Sequence, residues 1–343
     1  MNNIAVIIPA HNEEQVILDT LLALQAAGFE SHDIYVVDDA STDQTSKIVQ
    51  SITDINLLTL IKNAGKANAL RTLIRDFALC DRYEWITFLD ADTEVDVNFL
   101  TAVKEAIKKD PSVALYVGQI RAKQGGYLTA LRAVEYAISQ DLFKSGMSRQ
   151  GVIFVAPGCT SIYKSSMMRQ LRFEGDTLAE DMDLTIQVQR KKGEIVYIPD
   201  AIVYTQDPSS IKDYIKQVLR WYRGTWQVLK KYKTMGFTKK QKVDYWIIFL
   251  MIDALAFNRV LWLTGGMLLL PMSQMIWLFG IDILFYFLFA TYTAFKTKRL
   301  DVIYKFPAYF WTSYLNPLLF FRAFGEIVLF KKHVLAWNKV QRY

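Results

Sequence analysis

The sequence predicts an α/β domain with a doubly wound sheet, followed by an α-helical membrane region. Three observations predict it. Short β-branched apolar runs alternate with stretches of helical spacing through residues 4–89. Each of those runs ends in polar, often acidic residues. After Tyr245, long apolar runs replace the mixed pattern.

Ile4–Pro9 is continuous, β-branched and closed by proline, as expected of a strand buried on both faces. Residues 13–27 carry Val16, Leu18, Leu21, Leu22 and Leu24 at helical spacing and end at Gly28. Ile34–Val37 is the second strand and residues 42–52 the second helix, with Thr42 or Asp43 as its cap. Residues 57–61 form a third strand, residues 66–79 a helix and residues 85–89 a fourth strand that stops at Asp90. Such β-α alternation implies right-handed crossovers and a doubly wound sheet.

In that architecture a ligand sits beyond the carboxyl ends of the strands. Those ends read Pro9-Ala10-His11-Asn12-Glu13, Asp38-Asp39-Ala40-Ser41, Asn63-Ala64-Gly65-Lys66 and Asp90-Ala91-Asp92. Carboxylates gathered at one edge repel one another unless a ligand needs them. A nucleotide diphosphate held through a divalent cation accounts for the set. No GxGxxG follows the first strand and no GxxxxGK[ST] loop occurs, so dinucleotide-binding and P-loop readings lose support.

The 343 residues are 52% hydrophobic and 14% aromatic, with a formal net charge of +6. Residues 205–245 hold ten Lys or Arg against three Asp, just before the first apolar run. This favours anionic lipid on the cytosolic face over nucleic acid. Cys80 and Cys159 stand in unrelated contexts and suggest neither a zinc site nor a disulfide framework. No apolar signal segment opens the chain, which is therefore expected to start in the cytosol.

Three apolar segments follow, at residues 246–270, 272–294 and 306–330, each long enough for a crossing of about 20 residues. The uncharged Leu270–Ser273 connection belongs outside, and the loop with Lys296, Lys298, Arg299 and Lys305 inside. The third segment contains Asn316-Pro317, Arg322 and Glu326 and precedes Lys331-Lys332, so it reads either as a span or as a re-entrant or interfacial helix. Asp253, Arg259, Asp282, Arg322 and Glu326 are costly in lipid and imply partners or a polar path.

Six motifs occur in order: IIPAHNEE at residues 7–14, VVDDASTDQT at 36–45, NAGKANAL at 63–70, FLDADT at 88–93, LAEDMDLT at 178–185 and QVLRW at 217–221. Together they resemble the family 2 inverting glycosyltransferases, in particular the membrane-bound branch with the poly-N-acetylglucosamine, chitin, cellulose and hyaluronan synthases. The resemblance implies a GT-A type, mixed-sheet nucleotide-sugar transferase domain over residues 1–226. A basic interfacial linker at 227–245 and a membrane region at 246–343 would follow.

Asp90 and Asp92 flank a small residue, so both carboxylates can point one way and hold Mg²⁺ or Mn²⁺ with substrate phosphates. The resemblance implies metal contact chiefly by Asp92, with Asp90 nearer the nucleoside. It also implies that Asp39 accepts from the uracil N–H and that Pro9, Ala10 and Glu13 line the base; Asp39 could instead serve as a helix cap. Lys66 beside a helix N-terminus suits phosphate, or is simply a solvated lysine.

By its place in the acidic tripeptide Ala179-Glu180-Asp181, Asp181 resembles the family's general base, with Glu180 beside it and Asp183 as competitor. These acids also favour a helix start. Gln217, Arg220 and Trp221 share a helix face. There Arg220 could meet the diphosphate and Trp221 the acceptor sugar, unless the helix is only a basic surface helix. Residues 157–161, with Gly158 and Cys159, resemble the acceptor-pocket loop.

The implied function is transfer of a sugar from a UDP-sugar to a glycan acceptor at the cytosolic membrane face. The likeness points first to N-acetylglucosamine, and QxxRW to processive synthesis. Single transfer to a polyprenyl-phosphate or lipid-linked acceptor is the alternative, and an inactive scaffold subunit the reading from another class. Implied partners are membrane lipids and either a second copy or another membrane subunit.

Overall fold

The computed structural model describes residues 3–123, 127–232, 268–332 and 334. The chain divides into two compact units, Met1–Arg121 with Ser145–Gln206, and Ala122–Lys144 with Asp207–Tyr343.

The first unit runs β1 (Ile4–Ala10), α1 (Ile17–Ala26), β2 (Ile34–Asp38), α2 (Thr45–Gln50), β3 (Asn56–Thr59), α3 (Lys66–Asp76), α4 (Leu79–Arg82) and β4 (Trp85–Phe88). Next come β5 (Thr93–Val95), α5 (Phe99–Lys109) and β6 (Leu115–Ala122). Between β6 and the next element of this unit the chain contributes α6 (Tyr127–Tyr136) and the π-helical Ala137–Lys144 to the second unit. The first unit then closes with α7 (Ser145–Arg149), β7 (Ser161–Lys164), α8 (Ser165–Met168), α9 (Glu180–Arg190) and β8 (Ile195–Thr205).

The strands form one eight-stranded sheet in the order β3-β2-β1-β4-β7-β6-β8-β5. β3, β2, β1 and β4 run parallel to one another, whereas β7 is antiparallel to β4 and β6, and β5 to β8. This is the expected doubly wound sheet, and it is mixed. β1 and β2 are buried almost throughout, as central parallel strands with both faces covered must be. Their register aligns Ala10 with Asp38 and Asp38 with Thr59, so three strand ends open at one level.

Two expected helices begin later in the structure. Glu13 O accepts from both Val16 N and Ile17 N, so residues 13–16 form a turn and α1 starts at Ile17. Asp43 Oδ1 accepts from Thr45 N at 3.0 Å while Oδ2 accepts from Glu14 N at 3.2 Å. Asp43 thus ties the start of α2 to the first loop, but the cap position itself is Gln44, which makes no side-chain cap bond, so neither Thr42 nor Asp43 is the N-cap.

The second unit consists of α6, the π-helical stretch after it, α10 (Ile211–Tyr232), α11 (Met272–Thr297), α12 (Asp301–Tyr304), α13 (Phe306–Thr312), α14 (Leu315–Phe324) and a π-helical turn at Gly325–Leu329. Its core joins Leu131 and Val134 of α6, Tyr214 and Val218 of α10, Ala290 and Ala294 of α11, and Leu319 of α14. Within α11, Met272–Lys296 is the one helix among the described residues long and apolar enough to cross a membrane. It matches the second expected span, and Trp277, Ile281, Leu284 and Leu288 stand exposed on it. The first expected span, residues 246–270, lies outside the described residues except at its end.

Residues 306–330 form short helices rather than one. Pro307 opens α13 and Pro317 lies in the first turn of α14, positions where the missing N–H costs little. The polar residues of this stretch have partners. Glu326 accepts from Arg223 Nε at 2.6 Å and from Arg322 Nε at 3.1 Å, and Asn316 Nδ2 donates to Glu135 Oε1 at 3.0 Å. Asp282 of α11 likewise accepts from Tyr314 OH at 2.8 Å. Asp253 and Arg259 fall outside the described residues.

Asp207, buried where α10 begins, accepts from Tyr136 OH at 3.1 Å. Burial pushes its carboxyl up to about 7, against the lowering by Arg132, whose Nε lies 3.8 Å away. The folded protein thus keeps a proton that the unfolded chain releases near pH 4. Stability from this group is full below about pH 4 and is lost as pH rises to about 7. Asp207→Asn is therefore expected to flatten the fall of Tm across that window in thermal melts of detergent-solubilised protein. Parallel pH profiles for the two proteins would refute this.

Candidate active site

The loops beyond β1, β2, β3 and β4 are laced to one another by side chains. Asn12, at φ 56°, occupies the left-handed region that asparagine tolerates. Its N–H donates to Ser41 Oγ at 2.8 Å, and its Oδ1 accepts from Thr42 N at 2.7 Å. The His11 ring lies with Nδ1 2.8 Å from Asp39 O. Glu13 is buried and its N–H donates to Thr45 Oγ1 at 2.8 Å. Pro9, partly buried, and Ala10, buried, end β1.

Asp38 and Asp39 have separate tasks. Asp38 accepts from Ser41 N at 2.8 Å and from the Ser46 hydroxyl, which builds its own turn. Asp39 accepts from Ala64 N at 2.6 Å and from Gly65 N at 2.9 Å. It therefore holds the turn in which Gly65 takes φ +79°, a conformation that suits glycine. Each carboxylate oxygen can accept more than one hydrogen bond, so this leaves capacity for a base N–H.

Lys66, the first residue of α3, spans the site. Its Nζ lies 2.6 Å from Asp90 Oδ1 and 3.0 Å from Glu180 Oε1. Burial disfavours its charge, but Asp90 and Glu180 outweigh that and hold its pKa well above the ordinary lysine value. Lys66 is thus ion-paired to two acids while its side chain stays partly exposed. A Cβ on Gly158 would stand 3.0 Å from that Nζ, so glycine leaves the room in which Lys66 meets both acids.

Asp92 is buried and its Oδ1 accepts from Thr93 Oγ1 at 3.3 Å, while Asp90 is half-exposed. The carbonyl between them is pinned, since Thr20 Oγ1 on α1 donates to Ala91 O at 2.8 Å. Two carboxylates on a rigid turn offer hard oxygen donors of the kind Mg²⁺ or Mn²⁺ takes together with phosphate. The residues present fit a divalent cation.

Glu180 and Asp181 open α9, where negative charge is favoured by the helix dipole. Asp181 is half-buried, and its Oδ1 accepts from Met182 N at 2.8 Å. Thr185 Oγ1 donates to Asp181 O at 2.6 Å and accepts from Ala156 N at 2.9 Å, which fastens the residue 156–160 loop to α9. Tyr163 lies buried beneath. Burial first, and then Asp181 and Glu180, keep its phenol protonated. Asp183 points elsewhere: it is buried, and a ligand oxygen of it lies within 4.8 Å of those of exposed Glu174 and Asp176. Cys159 is buried, whereas Gly158 is partly exposed.

Gln217, Arg220 and Trp221 belong to the second unit, on α10. Gln217 is buried and accepts from Arg132 on α6, and the Arg132 guanidinium lies 4.7 Å from the Trp221 ring centroid. Arg220 is partly buried.

Three residues escape a reading by motif. Thr20 and Arg132 each sit on the apolar stripe of a helix, and a polar side chain in such a stripe is the signal that marks them. Tyr163 gives no such signal, since aromatic residues are at home in strands. Thr20→Val keeps the shape but leaves Ala91 O without its donor. It is expected to cost about 1–3 kcal/mol in thermal unfolding and to raise donor KM more than it lowers kcat. An unchanged donor KM would count against the pinning role.

A family model described as "Glycosyltransferase like family 2" matches residues 2–224. The chain is 27% identical over 234 residues to poly-beta-1,6-N-acetyl-D-glucosamine synthases of Staphylococcus epidermidis and of Staphylococcus aureus strain COL. The match covers 67% of this chain and 56% of those proteins, so the chain spans little more than half their length. Among solved structures, the mannosyltransferase PcManGT from Pyrobaculum calidifontis, in complex with GDP-Man and Mn²⁺, superposes with TM-score 0.60 at 16% identity. That match covers 92% of this chain and 87% of PcManGT. Staphylococcus aureus TarS 1-349 in complex with UDP-GlcNAc gives TM-score 0.54 at 16% identity, covering 95% and 91%. These two likenesses are of fold.

Proposed function

Because the chain belongs to the glycosyltransferase-like family 2, we propose that it transfers a sugar from a UDP-sugar to a glycan acceptor with inversion. N-acetylglucosamine is the first sugar, and chain extension rather than single addition the mode. One observation carries the reading. Lys66 brings the donor-side carboxylate Asp90 and Glu180, the neighbour of Asp181 at the start of α9, to a single ammonium, at 2.6 and 3.0 Å. This supports a reading in which the donor and base sites adjoin. The poly-N-acetylglucosamine synthases with which the chain shares 27% identity support the choice of sugar.

In this reading Pro9, Ala10, Glu13 and Asp39 bind the nucleoside, and Asp90 and Asp92 hold the divalent cation. When bound, that cation neutralises charge on the departing diphosphate. Lys66, at the N-terminus of α3, meets the same phosphates. Asp181 accepts the proton of the acceptor hydroxyl as its oxygen bonds to the anomeric carbon and the bond to UDP breaks. Glu180, held by Lys66, fixes the first turn of α9. Gly158 and Cys159 shape the acceptor loop, and the Trp221 ring offers a face to the acceptor sugar.

The reading also places the protein in the inner membrane or its equivalent, catalytic part cytosolic. Supporting this are the 25-residue, largely apolar helix Met272–Lys296 and the Lys and Arg of α10. The α14 stretch would lie along α10 at the interface, and a second copy or another membrane subunit would complete a path for the product.

The test is incubation of detergent-solubilised full chain with radiolabelled UDP-sugars and Mn²⁺ or Mg²⁺, followed by sizing of the product. Label from UDP-N-acetylglucosamine in a polymer is expected. A single-sugar, lipid-soluble product would refute chain extension, and no incorporation from any UDP-sugar would refute the activity.

A further inference from the structure

Arg132 of α6 is almost wholly buried at 2% exposure, yet no motif of the transferase family drew attention to it. Its guanidinium lies between two aromatic rings, 4.5 Å from the Tyr214 centroid and 4.7 Å from the Trp221 centroid. One terminal nitrogen donates to Gln217 Oε1 and the other to Glu135 Oε2 at 2.6 Å. Nε lies 3.8 Å from Asp207 Oδ1.

The partners are themselves held. Glu135 Oε1 accepts from Tyr214 OH at 2.7 Å and from Asn316 Nδ2 at 3.0 Å, and Asp207 accepts from Tyr136 OH. A planar group hydrogen-bonded at both terminal nitrogens, ion-paired at Nε and set against two rings has little freedom to turn. The ring that it backs does have an open side. Trp221 remains 37% exposed although Arg132 covers one side of it. Gln217, by contrast, is 5% exposed and spends its carbonyl on Arg132.

The geometry points to Arg132 as a positioning residue for acceptor binding, which sets the plane of the Trp221 ring while Gln217 holds Arg132 in place. This rests on the reading of Trp221 as the acceptor platform. It gives Gln217 a different task from contact with sugar, and it explains why Gln and Trp stand four residues apart on α10. Both must reach the same guanidinium from one helix face.

The test uses the full chain in detergent, with UDP-N-acetylglucosamine as donor and N-acetylglucosamine oligosaccharides as acceptor. Arg132→Lys keeps the charge but loses the planar fork and both stacking faces. It is expected to raise acceptor KM roughly three- to thirtyfold, the span of one stacked cation–π contact. Donor KM and kcat should stay within about twofold. Trp221→Ala should raise acceptor KM at least as much, and the double variant should be no worse than Trp221→Ala alone, because one residue acts through the other.

If Arg132→Lys does not fold, Gln217→Met removes only the hydrogen bond that anchors Arg132 and should raise acceptor KM in the same way. A lower Tm with acceptor KM unchanged would mark Arg132 as structural only and overturn the inference. So would effects that multiply in the double variant. A wild-type acceptor KM for Trp221→Ala would instead remove the platform itself, and the inference with it.

Discussion

Asp181→Asn is expected to lower turnover by roughly a hundred- to ten-thousandfold, the usual contribution of a positioned general base. Asparagine retains the Oδ1 that accepts from Met182 N at 2.8 Å, so the first turn of α9 should persist. What it loses is the ability to take a proton from the acceptor hydroxyl. UDP binding by titration calorimetry should therefore be unchanged while sugar incorporation collapses. Asp183→Asn is the control, because that side chain is buried toward Glu174 and Asp176 rather than toward Lys66. Near-normal incorporation by Asp181→Asn would sink the assignment, and a collapse with Asp183→Asn alone would transfer the role.

Asp92→Asn should act earlier, on donor binding. Asp92 is 3% exposed and follows Ala91, whose carbonyl Thr20 holds from α1. An isosteric amide therefore keeps the turn while removing one anionic ligand from the candidate cation site. The Mn²⁺-dependent part of UDP affinity is expected to fall by at least about a hundredfold, beyond the range that outer-sphere changes produce. Chelation of the wild type should bring its UDP affinity to the same level. Tm without nucleotide should not fall, since a buried charge has been removed rather than created. If Mn²⁺ still strengthened UDP binding to Asp92→Asn as it does to the wild type, Asp92 would not be the ligand.

Much of this site could be read from the chain alone. Strand ends are local: an apolar β-branched run stops where Asp38, Asp90 or Pro9 interrupts it, and the parallel topology then brings those ends to one edge. The start of α9 was equally legible, because acids in a first turn favour a helix there. The apolar C-terminal part was legible as hydropathy only. Met272–Lys296 is one continuous helix as expected, whereas residues 306–330 break into short helices around Pro307 and Pro317 and carry partners for Asn316, Arg322 and Glu326. Hydropathy averages over a window and cannot register that a polar side chain will find a partner on another helix.

Alternation, strand-end carboxylates and the paired acids of α9 were thus determined by the sequence itself, since residue type and short-range spacing set each of them. Tertiary structure decided how those groups are used. Lys66 is committed to Asp90 and Glu180, Asp39 to the backbone of Ala64 and Gly65, and Gln217 to Arg132. The reason is distance along the chain. Lys66 and Asp90 are separated by 24 residues, Thr20 and Ala91 by 71, and Arg132 and Gln217 by 85. No helical or strand period links positions so far apart, and only the packing of the elements that carry them brings a buried charge to its partner.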